Sequence, residues 1–564
     1  MIQKLFSRKK RTHSGEIYPE DIFLDSSNLP EFDQSQFEGR IEKPIGKATF
    51  RFFGAALCII GFLFLARTWD LQLTKGTVYA QMSENNRLRR AVIFPQRGLI
   101  LDRNGNELAW NEPNAEDSFP LRRYSPLSGI SHAVGYAKEP ARDSSGNLYQ
   151  DRFEGVAGAE AVFDAALSGK NGEKITETDA RGGVISESVL EPPRDGETVT
   201  LSLDAKISDK IYTGMKELAE RVGFQGGAAA IIDVDTGELI ALVSYPEYDS
   251  AILSRGDDRT SIQQYLTNPR NPFLNRAVSG LYAPGSTVKP YVALGALTEG
   301  IISPEKQILS TGSISIPNPF VPGAQSVFKD WKAHGWVDMR HALSVSSDVY
   351  FYAIGGGYKD QKGLGIANID KYMQLFGFGS ITGAEGFDEP TGLIPTPEWK
   401  VATFDGDIWR LGDTYHTAIG QYGFQVTVLQ EARAMAALGN GGILRTPTLR
   451  KGGSPAGVPI DIDAAALAVV REGMRLGVRE GTISGLNVPY VAIAAKSGTA
   501  EIGTAKKSYV NSWITGYFPY EKPRYAFAAV MERGPVANTT GALYVMRQAF
   551  DWMSTYAPEY FEQN

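Results

Sequence analysis

The chain has 564 residues and a formal net charge of −7, with 43% hydrophobic and 21% charged residues. A chain of this length exceeds one ordinary core, so we expect two or three domains. The acidic balance gives no reason to expect nucleic acid as a partner, because proteins that bind phosphate usually carry a basic surplus. A single cysteine, Cys58, excludes an internal disulfide, and the five histidines show no metal-ligand spacing. We therefore expect neither a metal nor another cofactor.

An uncharged apolar run, Phe52 to Ala66, lies between two arginines near the N-terminus. As a helix it would span about 22 Å, less than the ~30 Å of a bilayer core. Flanking residues supply the missing length, so we expect a single transmembrane anchor over residues 50–69 in the cytoplasmic membrane. A cleaved signal peptide is the alternative, but its n-region would be shorter. Residues 1–49, with the basic cluster Arg8 to Arg11, are predicted to be a cytoplasmic tail and the remainder to lie outside the cytoplasm.

Residues 70–204 are predicted to form a mixed domain with many turns. Within it, Arg97 to Asn111 predicts two short strands around an Asn104-Gly105 turn. At its end, Asp204 has the position and residue type of an N-cap. A helix is predicted to follow over Ala205 to Val222.

Residues 205–564 are predicted to form an α+β domain. An apolar hairpin, Ala228 to Val234 and Glu238 to Ser244, opens it. Three more strand patterns and a helix from about Leu543 close it, and helical patterns fill residues 286–480. Distant parts of the chain must therefore join in one antiparallel sheet, flanked by helices and accompanied by a helical subdomain.

Ser286 and Lys289 stand three residues apart after a Pro-Gly turn, at the start of a predicted helix. Such residues share one helix face, and the helix N-terminus stabilises negative charge on an attacked carbonyl oxygen. A desolvated lysine there can lose its proton near neutral pH and act as base for the serine. However, Ser-x-x-Lys occurs three more times in the chain, so the pair alone is most simply a chance occurrence.

Two further motifs follow in chain order. Ser346 to Asp348, with the sequence SSD, lies in an apolar stretch predicted to be helical. Lys496 to Thr499, with the sequence KSGT, lies on a predicted strand. S-x-x-K with S-D-N and K-T-G is the known signature of class A β-lactamases and penicillin-binding proteins. Each fragment alone could be structural, but together they predict a serine acyl-transfer site.

The third motif has a chemical task for each residue. Lys496 places positive charge near a carboxylate or a developing anion. The hydroxyls of Ser497 and Thr499 can donate hydrogen bonds to that carboxylate. Gly498 allows a substrate backbone to lie close along the strand. The backbone N–H groups of Thr499 and Ser286 would form an oxyanion hole.

The chain resembles the class B penicillin-binding proteins, most of all their elongation-type group, penicillin-binding protein 2. The resemblance implies a bitopic membrane protein with an elongated pedestal or dimerisation-type domain at residues 70–204 and a transpeptidase domain at residues 205–564. It extends from the anchor almost to the C-terminus and is carried by five main segments: Arg97 to Ala109, Gly155 to Gly172, Asn275 to Leu297, Leu411 to Gln421 and Asn511 to Pro519. Asp330 to Gly335 is also similar to a family segment.

The resemblance implies a peptidoglycan D,D-transpeptidase that acts in cell-wall elongation. Ser286 would be acylated by the D-Ala-D-Ala end of one stem peptide, and an amine of a neighbouring stem peptide would then attack the ester. Lys289 would be the base and Ser346 the proton relay. β-Lactams would acylate the same serine, and a polytopic glycan polymerase would be a membrane partner. Asp348 stands where most of the wider family has Asn, so its role stays open.

Other functions share these motifs. A β-lactamase or D,D-carboxypeptidase would use water in place of the acceptor amine, although neither needs an anchor and a pedestal. A non-catalytic penicillin-binding scaffold or sensor would need no complete set of motifs. A division-specific transpeptidase differs from the elongation type only by resemblance.

Overall fold

The computed structural model describes residues 46–80, 88–115, 117–178, 184–453, 457–504 and 507–562. The predicted cytoplasmic tail before residue 46, with its basic cluster, lies outside the described residues. The chain forms two compact units, one that ends at Arg89 and one that holds almost all residues from Arg90 onwards. The predicted domain boundary at residue 204 stays a prediction.

The described part of the first unit consists mainly of one helix, α1 (Lys47–Trp69), which continues into a π-helical turn, Asp70–Thr74. Its 23 residues correspond to about 34 Å, enough to cross a bilayer core. α1 extends past the apolar run Phe52 to Ala66 at both ends, and these flanking turns supply the length that the run alone lacks. By length and composition it is the one described helix that could cross a membrane.

The N-terminal part of the second unit contains short strands and three short helices. The strands are β1 (Leu88–Ile93), β2 (Ile100–Leu101), β3 (Glu107–Glu112), β4 (Leu121–Tyr124), β5 (Tyr136–Lys138), β6 (Ala141–Arg142), β7 (Leu148–Gln150), β8 (Glu154–Ala157), β9 (Gly172–Thr178), β10 (Val184–Glu191) and β11 (Val199–Thr200). The helices are α2 (Ser131–Val134), α3 (Gly158–Val162) and α4 (Asp164–Leu167). β2 and β3 pair antiparallel, as the Asn104-Gly105 turn predicts.

A buried ion-pair cluster holds this part together. Glu160 lies between Arg97 and Arg122, with Oε2 2.6 Å from Arg97 Nε and Oε1 2.7 Å from Arg122 Nε. All three side chains are buried, so each charge depends on its partner for stabilisation. Arg97 and Glu160 belong to two different segments that resemble the class B family, and the fold brings those segments into contact.

The remaining described elements are helices of 6 to 18 residues and eleven strands. The helices are α5 (Ala205–Val222), α6 (Ser250–Arg255), α7 (Arg259–Thr267), α8 (Lys289–Thr298), α9 (Met339–Ser344), α10 (Asp348–Gly356), α11 (Ile366–Leu375), α12 (Pro397–Thr403), α13 (Leu411–Ala418), α14 (Val428–Gly439), α15 (Ala464–Arg479) and α16 (Ala542–Tyr556). The strands are β12 (Gly226–Asp233), β13 (Leu239–Tyr245), β14 (Ile308–Ser310), β15 (Ser313–Pro317), β16 (Gln325–Lys329), β17 (Gly335–Val337), β18 (Ile443–Arg445), β19 (Gly457–Pro459), β20 (Ala494–Thr504), β21 (Lys507–Phe518) and β22 (Tyr525–Pro535).

A five-stranded antiparallel sheet forms the centre, in the order β13-β12-β22-β21-β20. The predicted α+β fold with an antiparallel sheet is therefore confirmed. Side chains alternate between its two faces, as a strand requires. On β12, for example, Ala228 and Ala230 pack into the same core as α14, whereas Ala229 and Ile231 pack into the core that holds α5 and α16.

Candidate active site

The predicted nucleophile lies on a tight turn at the edge of this sheet. Gly285–Val288 forms a 3₁₀ helix, and α8 begins at Lys289, so Ser286 lies on this turn just before α8. Gly285 has φ +58° and its N–H donates to Gly420 O at 3.0 Å. A Cβ on Gly420 would lie 2.1 Å from Gly285 O, so the two glycines permit an approach that side chains would block.

The strand of the third motif, β20, runs beside this turn. A Cβ on Gly498 would lie 2.7 Å from Pro284 O and 2.8 Å from Thr287 Cγ2. Position 498 therefore requires glycine because of packing within the protein. The sequence had suggested instead that Gly498 makes room for the substrate backbone. Trp513 Nε1, on the neighbouring strand, donates to Ala283 O at 3.0 Å and ties the turn to the sheet.

Gly498→Ala is expected to slow acylation of the serine at least tenfold, because the added Cβ must displace the turn that holds it. We expect a loss of about 1–3 kcal/mol in the free energy of unfolding, which is typical of overpacking. Urea denaturation and penicillin labelling would measure the two effects. Gly214→Ala is the matched control, since its Cβ would make only ordinary contacts at 3.4 Å or more. Wild-type labelling by Gly498→Ala would contradict this account.

Lys289 is buried and its ammonium faces three acceptors. Its Nζ donates to Asp348 Oδ1 at 2.6 Å and Ser346 O at 2.8 Å, and lies 3.3 Å from Ser346 Oγ. The ring of Phe351 lies 5.3 Å from the same nitrogen. The carboxylate that sequence reasoning left without a role therefore pairs with the predicted base.

Lys496 approaches the same serine from the sheet. Its Nζ lies 2.7 Å from Ser346 Oγ and 2.8 Å from Ser497 O. Burial, together with the charge of Lys289, holds the pKa of Lys496 well below its ordinary value. Ser346 Oγ thus stands between two lysine nitrogens, within hydrogen-bond distance of both.

The second motif does not lie inside one helix, as its apolar pattern had predicted. Ser346 has φ +58° and falls between α9 and α10. Its neighbour Ser347 is the N-cap of α10, and its side chain accepts from Tyr350 N. The predicted helical stretch is therefore interrupted between α9 and α10. The left-handed backbone of Ser346 ends the helical path there, and its side chain faces both lysines.

Asp330 holds the segment between α9 and α10 in place, a role that was not predicted from the sequence. Its Oδ2 accepts from Ser347 Oγ at 2.8 Å, Val349 N at 3.0 Å and Ser310 Oγ at 3.2 Å. The carboxylate is fully buried. The available signal was its place in the Asp330 to Gly335 segment, which resembles the family but suggested no role.

The remaining predicted site residues border the same place with looser contacts. Ser497 Oγ shares a hydrogen bond of 3.1 Å with Thr482 Oγ1, and the Thr499 side chain is exposed. A Cβ on Gly285 would lie 2.8 Å from Thr499 O, so the nucleophile turn adjoins that residue. Among the described residues, none forms a hydrogen bond with the half-buried Ser286 hydroxyl. A cavity of about 570 Å³ opens next to the turn, with Ala283 in its wall.

Comparison with known proteins agrees with this geometry. Residues 227–548 match the penicillin binding protein transpeptidase domain, and residues 117–201 match the penicillin-binding protein dimerisation domain. The first match covers more than half of the chain. The chain belongs to the penicillin-binding protein transpeptidases. The family and the D,D-transpeptidase activity implied by the resemblance, and the predicted fold, are therefore confirmed.

Several members of this family match over nearly their full length. The peptidoglycan D,D-transpeptidase MrdA of Escherichia coli K12 is 28% identical, over 90% of this chain and 94% of MrdA. The crystal structure of Pseudomonas aeruginosa PBP2 in complex with WCK 5153 is 29% identical, with a TM-score of 0.66 over 82% of this chain and 97% of PBP2. A chain from a peptidoglycan synthase complex that coordinates polymerization and crosslinking is 25% identical, with a TM-score of 0.68 over 90% and 98% of the two chains.

Proposed function

We propose that this peptidoglycan D,D-transpeptidase forms its acyl-enzyme on Ser286. The observation that carries the proposal is Ser346 Oγ, which lies within 3.3 Å of Lys289 Nζ and 2.7 Å of Lys496 Nζ beside the nucleophile turn. A serine hydroxyl both donates and accepts, so it can pass a proton from one lysine to the other.

Acylation begins with a shift of one proton. Lys289 starts as an ammonium paired with Asp348, and burial lowers the pKa of Lys496, which favours the neutral form of that lysine. Transfer of a proton from Lys289 through Ser346 Oγ to Lys496 makes Lys289 a base. Lys289 then takes the proton of the Ser286 hydroxyl as Oγ bonds to the carbonyl carbon of the penultimate D-Ala.

Substrate binding drives this shift. The terminal carboxylate of the stem peptide would accept hydrogen bonds from Ser497 and Thr499. A negative charge there raises the pKa of the nearby Lys496, which favours the protonated form of that lysine. The N–H groups of Ser286 and Thr499 stabilise the oxyanion, and the proton held by Lys289 passes to the departing D-Ala amine. The acceptor amine then reverses these steps to close the cross-link.

The anchor helix and the relatives support the proposed cellular setting. Residues 50–69 cross the cytoplasmic membrane once, residues 1–49 stay in the cytoplasm, and the site from Ser286 to Thr499 lies outside. A polytopic glycan polymerase is the partner in the membrane. The similarity to a chain of a polymerizing and crosslinking synthase complex supports this partner, and the similarity to MrdA supports a role in elongation.

The decisive assay offers the purified full-length protein a donor peptide that ends in D-Ala-D-Ala, with and without an excess of an amine acceptor. We expect release of D-Ala, a cross-linked product that increases with acceptor concentration, and little hydrolysis. Mass spectrometry of the products would measure all three. Hydrolysis that is independent of the amine would indicate a D,D-carboxypeptidase instead, and absence of both products would indicate a scaffold.

A further inference from the structure

A buried carboxyl group lies directly behind the nucleophile turn. Glu431, on α14, is fully buried, and its Oε1 lies 2.6 Å from Thr287 Oγ1. Thr287 follows Ser286 in the chain, and its methyl group adjoins Gly498. Glu431 therefore touches a residue that both follows the nucleophile and adjoins the strand of the third motif.

The hydrogen bonds around Thr287 indicate which form of Glu431 is present. The Thr287 hydroxyl lies 3.0 Å from Pro284 O as well as 2.6 Å from Glu431 Oε1. It has one hydrogen, and a backbone carbonyl can only accept. Each oxygen has a hydrogen of its own if Thr287 donates to Pro284 O and a protonated Glu431 donates to Thr287, whereas an ionised Glu431 would share the single Thr287 hydrogen with Pro284 O.

The surroundings of Glu431 also favour the neutral acid. Its Oε2 has no hydrogen-bond partner among the described residues, and none of them forms an ion pair with it. From α8, Tyr291 faces it with a hydroxyl that likewise has no described partner. Arg433 of α14 instead donates to Arg445 O of β18, and the sheet presents apolar side chains to α14. Burial raises the pKa of Glu431 to about 7.

We propose that Glu431 is a positioning residue for Ser286, which in its neutral form fixes the nucleophile turn through Thr287. Ionisation removes the proton that Glu431 donates, and the Thr287 hydroxyl then turns from Pro284 O to the new carboxylate. Ionisation also places a buried negative charge beside Thr287, the neighbour of Ser286. That charge opposes the negative charge that develops on the oxyanion in acylation. The proposal rests on Ser286 as nucleophile.

The first test compares wild type with Glu431→Gln, whose amide can donate to Thr287 but cannot ionise. Acylation rates with a fluorescent penicillin are measured on the full-length protein at pH 6 and pH 8. With a pKa near 7, the neutral fraction falls from about nine-tenths to about one-tenth over this range. The ratio of the wild-type rate to the Gln rate should therefore fall roughly tenfold. The lysines contribute equally to both proteins, and a constant ratio would overturn the proposal.

A second readout does not require catalysis. The Glu431 carboxyl titrates near 4.5 when unfolded and near 7 when folded, so the folded state binds more protons between these pH values. The wild type should lose stability relative to Glu431→Gln as the pH rises from about 4.5 to about 7, and the difference should then stay constant. A melting-temperature difference that does not vary with pH would overturn the proposal.

The two readouts separate failure of the proposal from failure of the proposed function. Absence of labelling in the wild type together with the predicted stability step would refute the nucleophile and leave the titration of Glu431 supported. If Glu431→Gln does not fold, Glu431→Met supplies the comparison, because its buried side chain also cannot ionise. The rate ratio of wild type to Glu431→Met should show the same roughly tenfold fall, and a flat ratio would again overturn the proposal.

Discussion

Ser286→Ala is expected to abolish acylation by penicillin and transpeptidation while the fold stays intact. The hydroxyl would supply the attacking oxygen, and loss of a serine nucleophile typically costs at least about 10⁴-fold in rate. The same hydroxyl is half-exposed and has no hydrogen-bond partner among the described residues, so its loss should change the free energy of unfolding by less than about 0.5 kcal/mol. Gel fluorescence after labelling and thermal denaturation measure the two quantities.

The control for this variant comes from the chain itself. Ser303 and Lys306 form another Ser-x-x-Lys pair, and Ser303 is exposed, whereas Ser346 Oγ contacts Lys289 and Lys496. Ser303→Ala should therefore label like the wild type. Labelling that persists in Ser286→Ala would mean that a different residue is the nucleophile.

Lys289→Met is expected to reduce acylation at least about 10³-fold, because it removes the proposed base. It also leaves the Asp348 carboxylate without its ion-pair partner, and this carboxylate, 2.6 Å from Lys289 Nζ in the wild type, is only 19% exposed. We therefore expect a loss of about 2–3 kcal/mol in the free energy of unfolding, measured by urea denaturation. The activity loss alone would not tell a chemical role from a structural one.

The double variant Lys289→Met with Asp348→Asn separates these two roles. It removes the stranded charge, so most of the stability should return, and the acylation rate should stay at the level of the single variant. A double variant that acylates at close to the wild-type rate would show that Lys289 merely balances Asp348.

Local patterns in the sequence predicted much of the fold. Asp204 caps α5 as expected, with its side chain accepting from Lys206 N and Ile207 N, and α5 has the predicted bounds. The hairpin of β12 and β13 follows from two largely apolar runs on either side of a Gly-containing turn. The pairing of β12 with β22 joins distant segments. The sequence predicted that early and late strands share one sheet, but it did not predict which of them pair.

The site was predictable in its residues but less so in its geometry. Motif spacing singled out Ser286, Lys289, Ser346 and Lys496, and their roles remain proposals. The apolar stretch around Ser346 hides a break that depends on Asp330, a carboxylate from an earlier segment. Glu431 likewise acts through one contact across the fold, and a single residue in an apolar helix gives no local signal.

The most direct test of the central claim is to locate the acyl group. Full-length protein would be incubated with benzylpenicillin, digested and analysed by tandem mass spectrometry. If Ser286 is the nucleophile, we expect one adduct with the mass of intact penicillin on the peptide that contains Ser286, with the modification on that serine. An adduct on another residue, Ser346 for example, with Ser286 unmodified, would contradict it.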